Sequence, residues 1–217
     1  MIEDARIQAY IESLGQGNGE FLDKLEDHCI KNRIPLIRPS MQSILKVLIK
    51  MKDPGSILEV GTAVGFSAIL MASCSGEDCR ITTIEKYEKR LPLARDNIER
   101  SGYGDRIRLI EGDAAEVLKD LAGKGEVYDI VFMDAAKGQY LNFLEDTLKL
   151  LDKGGVLVSD NVLQEGDIIQ SRFAVTRRNR TIHSRMREYL YILTHDDRLE
   201  TTILPVGDGV TVSVKKI

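Results

Sequence analysis

Two apolar runs in this chain end in acids that could share one cation. Met133-Asp134 closes one run and Ser159-Asp160-Asn161 closes the other. If the runs are neighbouring parallel strands, Asp134, Asp160 and Asn161 open into one crevice. Three hard oxygen donors with room for water and substrate suit octahedral Mg²⁺ (or Mn²⁺) rather than zinc. Acids also mark ordinary strand ends and turns. Two aspartates at adjacent strand ends, one followed by asparagine, are harder to assign to that role. Lys137 follows Asp134 closely. A surface lysine is usually just solvated, but beside a dication and partly desolvated its pKa would fall, fitting it as a general base.

A second constellation is Glu59-Val60-Gly61-Thr62-Ala63-Val64-Gly65-Phe66-Ser67. A dinucleotide fingerprint would need glycine where Ala63 and Phe66 stand, and the missing second glycine normally admits a pyrophosphate. No Gly-Lys-Ser/Thr follows, which excludes a P-loop. The loop therefore suits a nucleoside cofactor without phosphates. Glu85 ends the next apolar run, where a carboxylate can accept hydrogen bonds from both ribose hydroxyls. Gly112-Asp113-Ala114 follows the run after that. The glycine pair alone fits a plain strand–helix turn equally well; with Glu85 and Asp113-Ala114 it points to S-adenosylmethionine.

These residues need a scaffold that aligns strand ends. From Ser56 onward, short apolar runs alternate with amphipathic stretches, the pattern of βαβ units on a parallel sheet. Strands are predicted at Ser56–Val60, Arg80–Glu85, Arg106–Glu111, Tyr128–Asp134 and Gly155–Asp160, and helices at Phe66–Ser73, Glu88–Ser101, Ala114–Leu121 and Gln139–Leu151. Gly102, Gly123 and Gly154 fall where helix stops belong. Residues 1–52 read as a helical layer, clearest at Glu20–Lys31 and Ser40–Met51. Leu199–Leu204 and Gly209–Lys215 read as an antiparallel pair around Val206–Gly209. The expected organisation is a single α/β domain over residues 1–217, with residues 53–217 as its core.

Composition narrows the classes. Of 217 residues, 43% are hydrophobic and 29% charged, which is ordinary globular usage and excludes disordered and collagen-like chains. No apolar run approaches the ~18 residues needed to cross a bilayer. Met1-Ile2-Glu3-Asp4 is acidic where a signal peptide is basic, so a cytoplasmic protein without a membrane partner is expected. The net charge of −4 offers no general polyanion surface, and DNA is not an expected partner. Cys29, Cys74 and Cys79 are an odd set without histidines at ligand spacing, which reads as idle thiols in a reducing compartment.

Taken together, Glu59–Ser67, Glu85, Asp134–Tyr140, Asp160-Asn161-Val162 and Leu204–Gly209 resemble the metal-dependent O-methyltransferases, the family that includes catechol and caffeoyl-CoA O-methyltransferases. The resemblance spans nearly the whole chain. It implies a Rossmann-like class I methyltransferase fold: a seven-stranded, mostly parallel sheet with an antiparallel C-terminal strand and helices on both faces. It also implies that Ile37, Glu59, Gly61, Ser67, Glu85, Asp113, Ala114 and Asp134 contact S-adenosylmethionine. Asp134, Asp160 and Asn161 would hold Mg²⁺ or Mn²⁺, Lys137 would take the acceptor's proton, and the protein would be a homodimer.

Two departures bear on the acceptor. Ala135 and Ala136 stand where the catechol enzymes carry bulky aromatics, which implies a wider pocket. Arg172, Arg177, Arg178, Arg180, Arg185 and Arg187 fall within sixteen residues that contain no acid and no lysine. Such a run is often a solvated amphipathic helix, but arginine is also the residue that grips phosphates bidentately. His183 could join such a surface. The Arg-Arg-Asn-Arg-Thr-Ile stretch is similar to the bacterial tRNA 5-hydroxyuridine O-methyltransferases, with Arg177, Arg178, Arg180 and Arg185 as the expected tRNA contacts. In 5-hydroxyuridine the 5-hydroxyl and the 4-carbonyl can chelate Mg²⁺ as a catechol does. The alternatives are an O-methyltransferase of catechols or hydroxycinnamoyl thioesters, and a non-catalytic RNA-binding protein. The intact Lys137 and metal ligands argue against the last.

Overall fold

The computed structural model describes residues 5–171 and 173–216; Met1–Asp4, Arg172 and Ile217 lie outside the described residues, and with them the acidic N-terminus and one arginine of the cluster. A seven-stranded sheet runs in the order β3-β2-β1-β4-β5-β7-β6. Its strands are β1 (Ser56–Val60), β2 (Arg80–Glu85), β3 (Ile107–Glu111), β4 (Tyr128–Met133), β5 (Leu151–Ser159), β6 (Leu199–Leu204) and β7 (Val210–Lys215). The pairs from β3 through β5 are parallel, and β7 runs antiparallel to both of its neighbours.

The apolar runs of the central strands are continuous because both faces are covered. Successive side chains alternate in direction, so Ile57, Ile130, Phe132, Val156 and Val158 enter one core and Leu58, Val60, Val131, Met133 and Leu157 the other. The first core is closed by α2 (Glu20–Lys31), α3 (Pro39–Lys52) and α4 (Phe66–Cys74), and the second by α6 (Ala114–Gly123), α7 (Tyr140–Leu150) and α8 (Arg180–His195). The remaining helices are α1 (Ala5–Ser13) and α5 (Leu91–Arg100). No described helix is long and apolar enough to cross a membrane. The three cysteines are free, and burial pushes each thiol above its ordinary pKa.

The structure differs from the sequence reading at identifiable points. Helix α5 starts at Leu91 rather than Glu88, because a helix from Glu88 would need an N–H at Pro92 for the Glu88 carbonyl, whereas from Leu91 the proline stands in the first turn. Before it, the Glu85 carboxylate accepts the amides of Lys86 and Tyr87 at 2.9 and 2.8 Å and holds a turn. Gly154 is not a helix stop. Helix α7 ends at Leu150, β5 begins at Leu151, and Gly154 sits inside that strand at φ +69°. After α6 the left-handed position belongs to Gly125 (φ +73°), not Gly123. Helix α8, absent from the predicted set, carries most of the arginine segment.

Candidate active site

The loop after β1 is built for close approach. Gly61 has φ +107°, and a Cβ there would lie 2.1 Å from the Asp134 carbonyl oxygen. Gly65, also left-handed at φ +87°, precedes the first residue of α4. The amides of Gly61 and Thr62 both donate to the Ile84 carbonyl at 3.1 Å, which draws this loop against the end of β2. The Ala63 amide donates to Glu85 Oε2 at 2.8 Å. Glu85 thus ties the loop after β1 to the turn after β2 through three backbone amides.

Beneath this loop Glu59 is fully buried. Its Oε2 accepts the Thr83 hydroxyl at 2.5 Å, while Oε1 is buried without a partner among the described residues. Burial pushes its pKa up to about 7, with the Ser67 and Thr83 hydroxyls opposing and the Asp134 and Glu85 carboxylates adding to the rise. An unsatisfied buried carboxylate oxygen is costly unless a ligand donor meets it. A cavity of about 400 Å³ opens above, walled by Ile37, Gly61, Ser67, Glu85, Asp113, Ala114, Asp134 and Asn161 among others. Asp113 caps α6 through the Ala115 amide at 2.9 Å and pairs with Lys86 at 3.0 Å; the Lys86 contact first, then the amide, holds its carboxyl below the usual range.

The parallel register of β4 and β5 pairs Met133 with Ser159, so the next residues, Asp134 and Asp160, lie side by side. The Asp134 amide donates to the Val60 carbonyl and the Asp160 amide to the Met133 carbonyl, each at 3.0 Å. The buried Tyr140 hydroxyl lies 3.2 Å from the Met133 carbonyl and 3.1 Å from that of Asp160, bracing both strand ends. Asn161 takes a left-handed conformation (φ +59°), and its amide donates to Asp160 Oδ1 at 2.7 Å. Burial, then the nearby Asp160, pushes Asp134 up to about 7, with Lys137 opposing. Asp160 is raised by burial and by Asp208. Two crowded carboxylates beside an amide form an oxygen-only donor set that fits a hard divalent cation. Among the described residues no group of three or more His, Cys, Asp or Glu side chains converges as a ligand set, so the cation reading depends on Asn161 as third donor.

Glu59, Asp160 and Lys137 are not among the residues that wall the cavity, although Asp160 and Lys137 each adjoin one in sequence and Glu59 stands two residues before Gly61. Lys137 Nζ meets Asp208 Oδ2 at 2.8 Å, with the lysine partly exposed and the aspartate 4% exposed. Asp208 was not among the sequence candidates. Its signal was a carboxylate set between Gly207 and Gly209 in a turn, a place where an acid is ordinarily solvated. Phe66 and Gln139, which lie within the sequence motifs without an assigned role, also wall the cavity, as do Arg90 and Phe143, which had no sequence signal.

The arginine segment divides. Arg185 donates to the Gly138 carbonyl at 2.6 Å and to Asn142 at 3.1 Å, and Arg187 to the Ile168 carbonyl at 3.2 Å. Arg180 reaches the Val175 and Phe173 carbonyls at 3.4 and 3.5 Å and lies over the Phe173 ring. These three brace the chain around α8 instead of standing free. Arg177 and Arg178 are exposed on the turn before α8. His183 is buried, its Nε2 3.1 Å from the Gln170 carbonyl, and so cannot join a charged surface.

Comparison with known proteins agrees with this architecture. The profile of the O-methyltransferase family matches residues 12–216. Tapetum-specific methyltransferase 1 of Arabidopsis thaliana is 33% identical over 169 residues, 77% of this chain and 72% of that protein. Caffeoyl-CoA O-methyltransferase 1 of Zea mays is 34% identical over 175 residues, 77% of this chain and 67% of that protein. An O-methyltransferase structure from Bacillus cereus, in complex with S-adenosylhomocysteine, superposes with a TM-score of 0.85 at 27% identity over 97% of each chain. With a profile match over almost its whole length and two such relatives above 30% identity, this chain belongs to the O-methyltransferase family.

Proposed function

We propose that the protein transfers the methyl group of S-adenosylmethionine to a hydroxyl flanked by a second oxygen, with a divalent cation held by Asp134, Asp160 and Asn161. The observation that carries this reading is the paired ends of β4 and β5, which set the half-buried Asp134 carboxylate, part of the cavity wall, next to the buried Asp160 carboxylate, with Lys137 three residues beyond Asp134. In this reading the orphaned Glu59 Oε1 takes a donor from the methionine end, Glu85 takes the ribose hydroxyls, and Gly61, Ser67, Asp113 and Ala114 shape the remaining wall. Ile37 covers the methionine end. When bound, Mg²⁺ or Mn²⁺ lowers the acceptor hydroxyl's pKa and fixes its direction. Lys137 receives the hydroxyl proton, and the cavity walls hold donor and acceptor in line.

The relatives named caffeoyl-CoA O-methyltransferases support a small acceptor, a catechol or hydroxycinnamoyl thioester. A second reading, methylation of 5-hydroxyuridine in tRNA, is supported by the exposed Arg177 and Arg178 and by the small Ala135 and Ala136 beside the cavity. It draws less support than six free arginines would, since three of the segment's arginines are committed to carbonyls. Labelled S-adenosylmethionine, offered with catechol, caffeoyl-CoA or hydroxyuridine-containing tRNA, with and without chelator, separates the two. Label in none of them rejects O-methylation of these acceptors. We further infer a cytoplasmic, single-domain homodimer; exposed Tyr10, Ile11 and Leu14 support an assembly surface, which sedimentation would test.

A further inference from the structure

The turn between β6 and β7 does more than reverse the chain. Asp208 lies in it with both carboxylate oxygens engaged: Oδ2 meets Lys137 Nζ at 2.8 Å, and Oδ1 accepts the Glu165 amide. Its carbonyl accepts the Leu163 amide at 2.8 Å, and the next carbonyl, of Gly209, accepts the Val162 amide at 3.0 Å. Gly209 has no room for a side chain, since a Cβ would lie 2.2 Å from Leu163 Cγ. The turn is therefore clamped against the segment that follows Asp160-Asn161. Burying a carboxylate is unfavourable unless a charge or several donors meet it. A turn needing only an acceptor for Glu165 would be served by a neutral amide.

We propose that Asp208 is the positioning residue of Lys137: it fixes Nζ, at the end of a flexible four-carbon stem, in one place beside Asp134 and Asp160. The inference rests on the reading of Lys137 as base. In methyl transfer the acceptor's O–H bond breaks and its proton passes to Nζ. The O–CH₃ bond forms as the S–CH₃ bond breaks, with that electron pair going to sulfur. Nζ carries an N–H toward Asp208 in both its neutral and its charged form, so the contact persists through the step, much as a buried aspartate orients the histidine of a catalytic triad.

The test is a double-mutant cycle on the full chain with the acceptor that the wild type methylates. Asp208→Asn keeps the size and an oxygen for Glu165 but removes the charge. It should lower kcat at least tenfold, with KM for the acceptor and calorimetric S-adenosylmethionine affinity within twofold of wild type. In a Lys137→Ala background it should cost nothing further, because the two residues act as one unit. Asp208→Glu, which keeps the charge but shifts its reach, should fall between wild type and Asp208→Asn and carries the same cycle should the asparagine variant fail to fold. A wild-type kcat in Asp208→Asn, or losses that multiply in the double variant, would overturn the proposal and leave the base assignment standing. Full activity in Lys137→Ala would remove both.

Discussion

Gly61 and Asp134 touch through their backbones: the place where a Gly61 side chain would begin is 2.1 Å from the Asp134 carbonyl oxygen. The loop that walls the cavity and the strand end that carries the Asp134 carboxylate are therefore one packed unit. Gly61→Ala must push β4 away from β1 while holding a left-handed backbone. It should destabilise the fold by about 2–4 kcal/mol and weaken S-adenosylmethionine binding as well. Urea unfolding and calorimetry check both. Stability within about 0.5 kcal/mol of wild type would mean the strands can part freely.

Glu59 gives the ligand-free protein a pH dependence of definite sign. Burial lifts its pKa from 4.5 to about 7, so the folded chain holds this proton more tightly than the unfolded chain. The contribution is fully present below the unfolded value and is lost as pH rises through about 7. Its size is on the order of 3 kcal/mol. Asp134, raised by the same burial, adds a parallel slope. The informative quantity is therefore the difference between wild type and Glu59→Gln, whose Tm should decline less between pH 4.5 and 7. Identical slopes would show that Glu59 is not held protonated.

Asp134→Asn and Asp160→Asn should each fold, since an amide keeps the volume and still accepts the Asn161 amide at position 160. Each should lose turnover. Wild-type Tm should rise on adding Mg²⁺ or Mn²⁺, by the mass action of a ligand that binds only the folded state, and chelator should reverse the rise. Neither variant should respond. A cation-dependent Tm rise that survives both substitutions would place the ion elsewhere.

The arginine segment should separate into two behaviours. Arg185→Ala removes two hydrogen bonds that tie α8 to the 3-10 turn and helix after Asp134. It should cost about 1–3 kcal/mol of stability. Arg177→Ala and Arg178→Ala should leave stability within about 0.5 kcal/mol. If tRNA is the acceptor, each should reduce the salt slope of tRNA binding by about one unit per lost phosphate contact. Unchanged salt slopes with unchanged methylation would mark them as a solvated face.

The strand frame was legible because a sheet covered on both faces leaves continuous apolar runs, and the acids at Glu85, Asp134 and Asp160 stood at the ends of those runs. Parallel pairing then placed Asp134 beside Asp160 as expected. Helix α8 was harder to see. Its buried stripe of His183, Met186, Tyr189, Leu190 and Leu193 mixes aromatic and polar side chains under a heavily charged face. Asp208 was illegible for another reason. Its contact with Lys137 spans 71 positions, and no local pattern marks a turn aspartate as buried. The start of α5 was misread because the amphipathic pattern runs on through Glu88, while Pro92 fits a helix only in its first turn.

The in-register pairing of Met133 with Ser159 makes the sheet itself the ruler for the two aspartates. Their separation is a lattice spacing, fixed near the ~4.8 Å between adjacent strands and indifferent to the length of chain that joins them. Connections elsewhere on the sheet can therefore be lengthened, shortened or exchanged while the two strand ends keep their spacing, provided that Lys137, Tyr140 and the contacts of residues 162–165 with the β6–β7 turn are kept. A slip of one residue in β4 or β5 has the opposite effect, turning a carboxylate to the other face of the sheet. An engineer changing acceptor preference should graft loops and leave these two strands untouched.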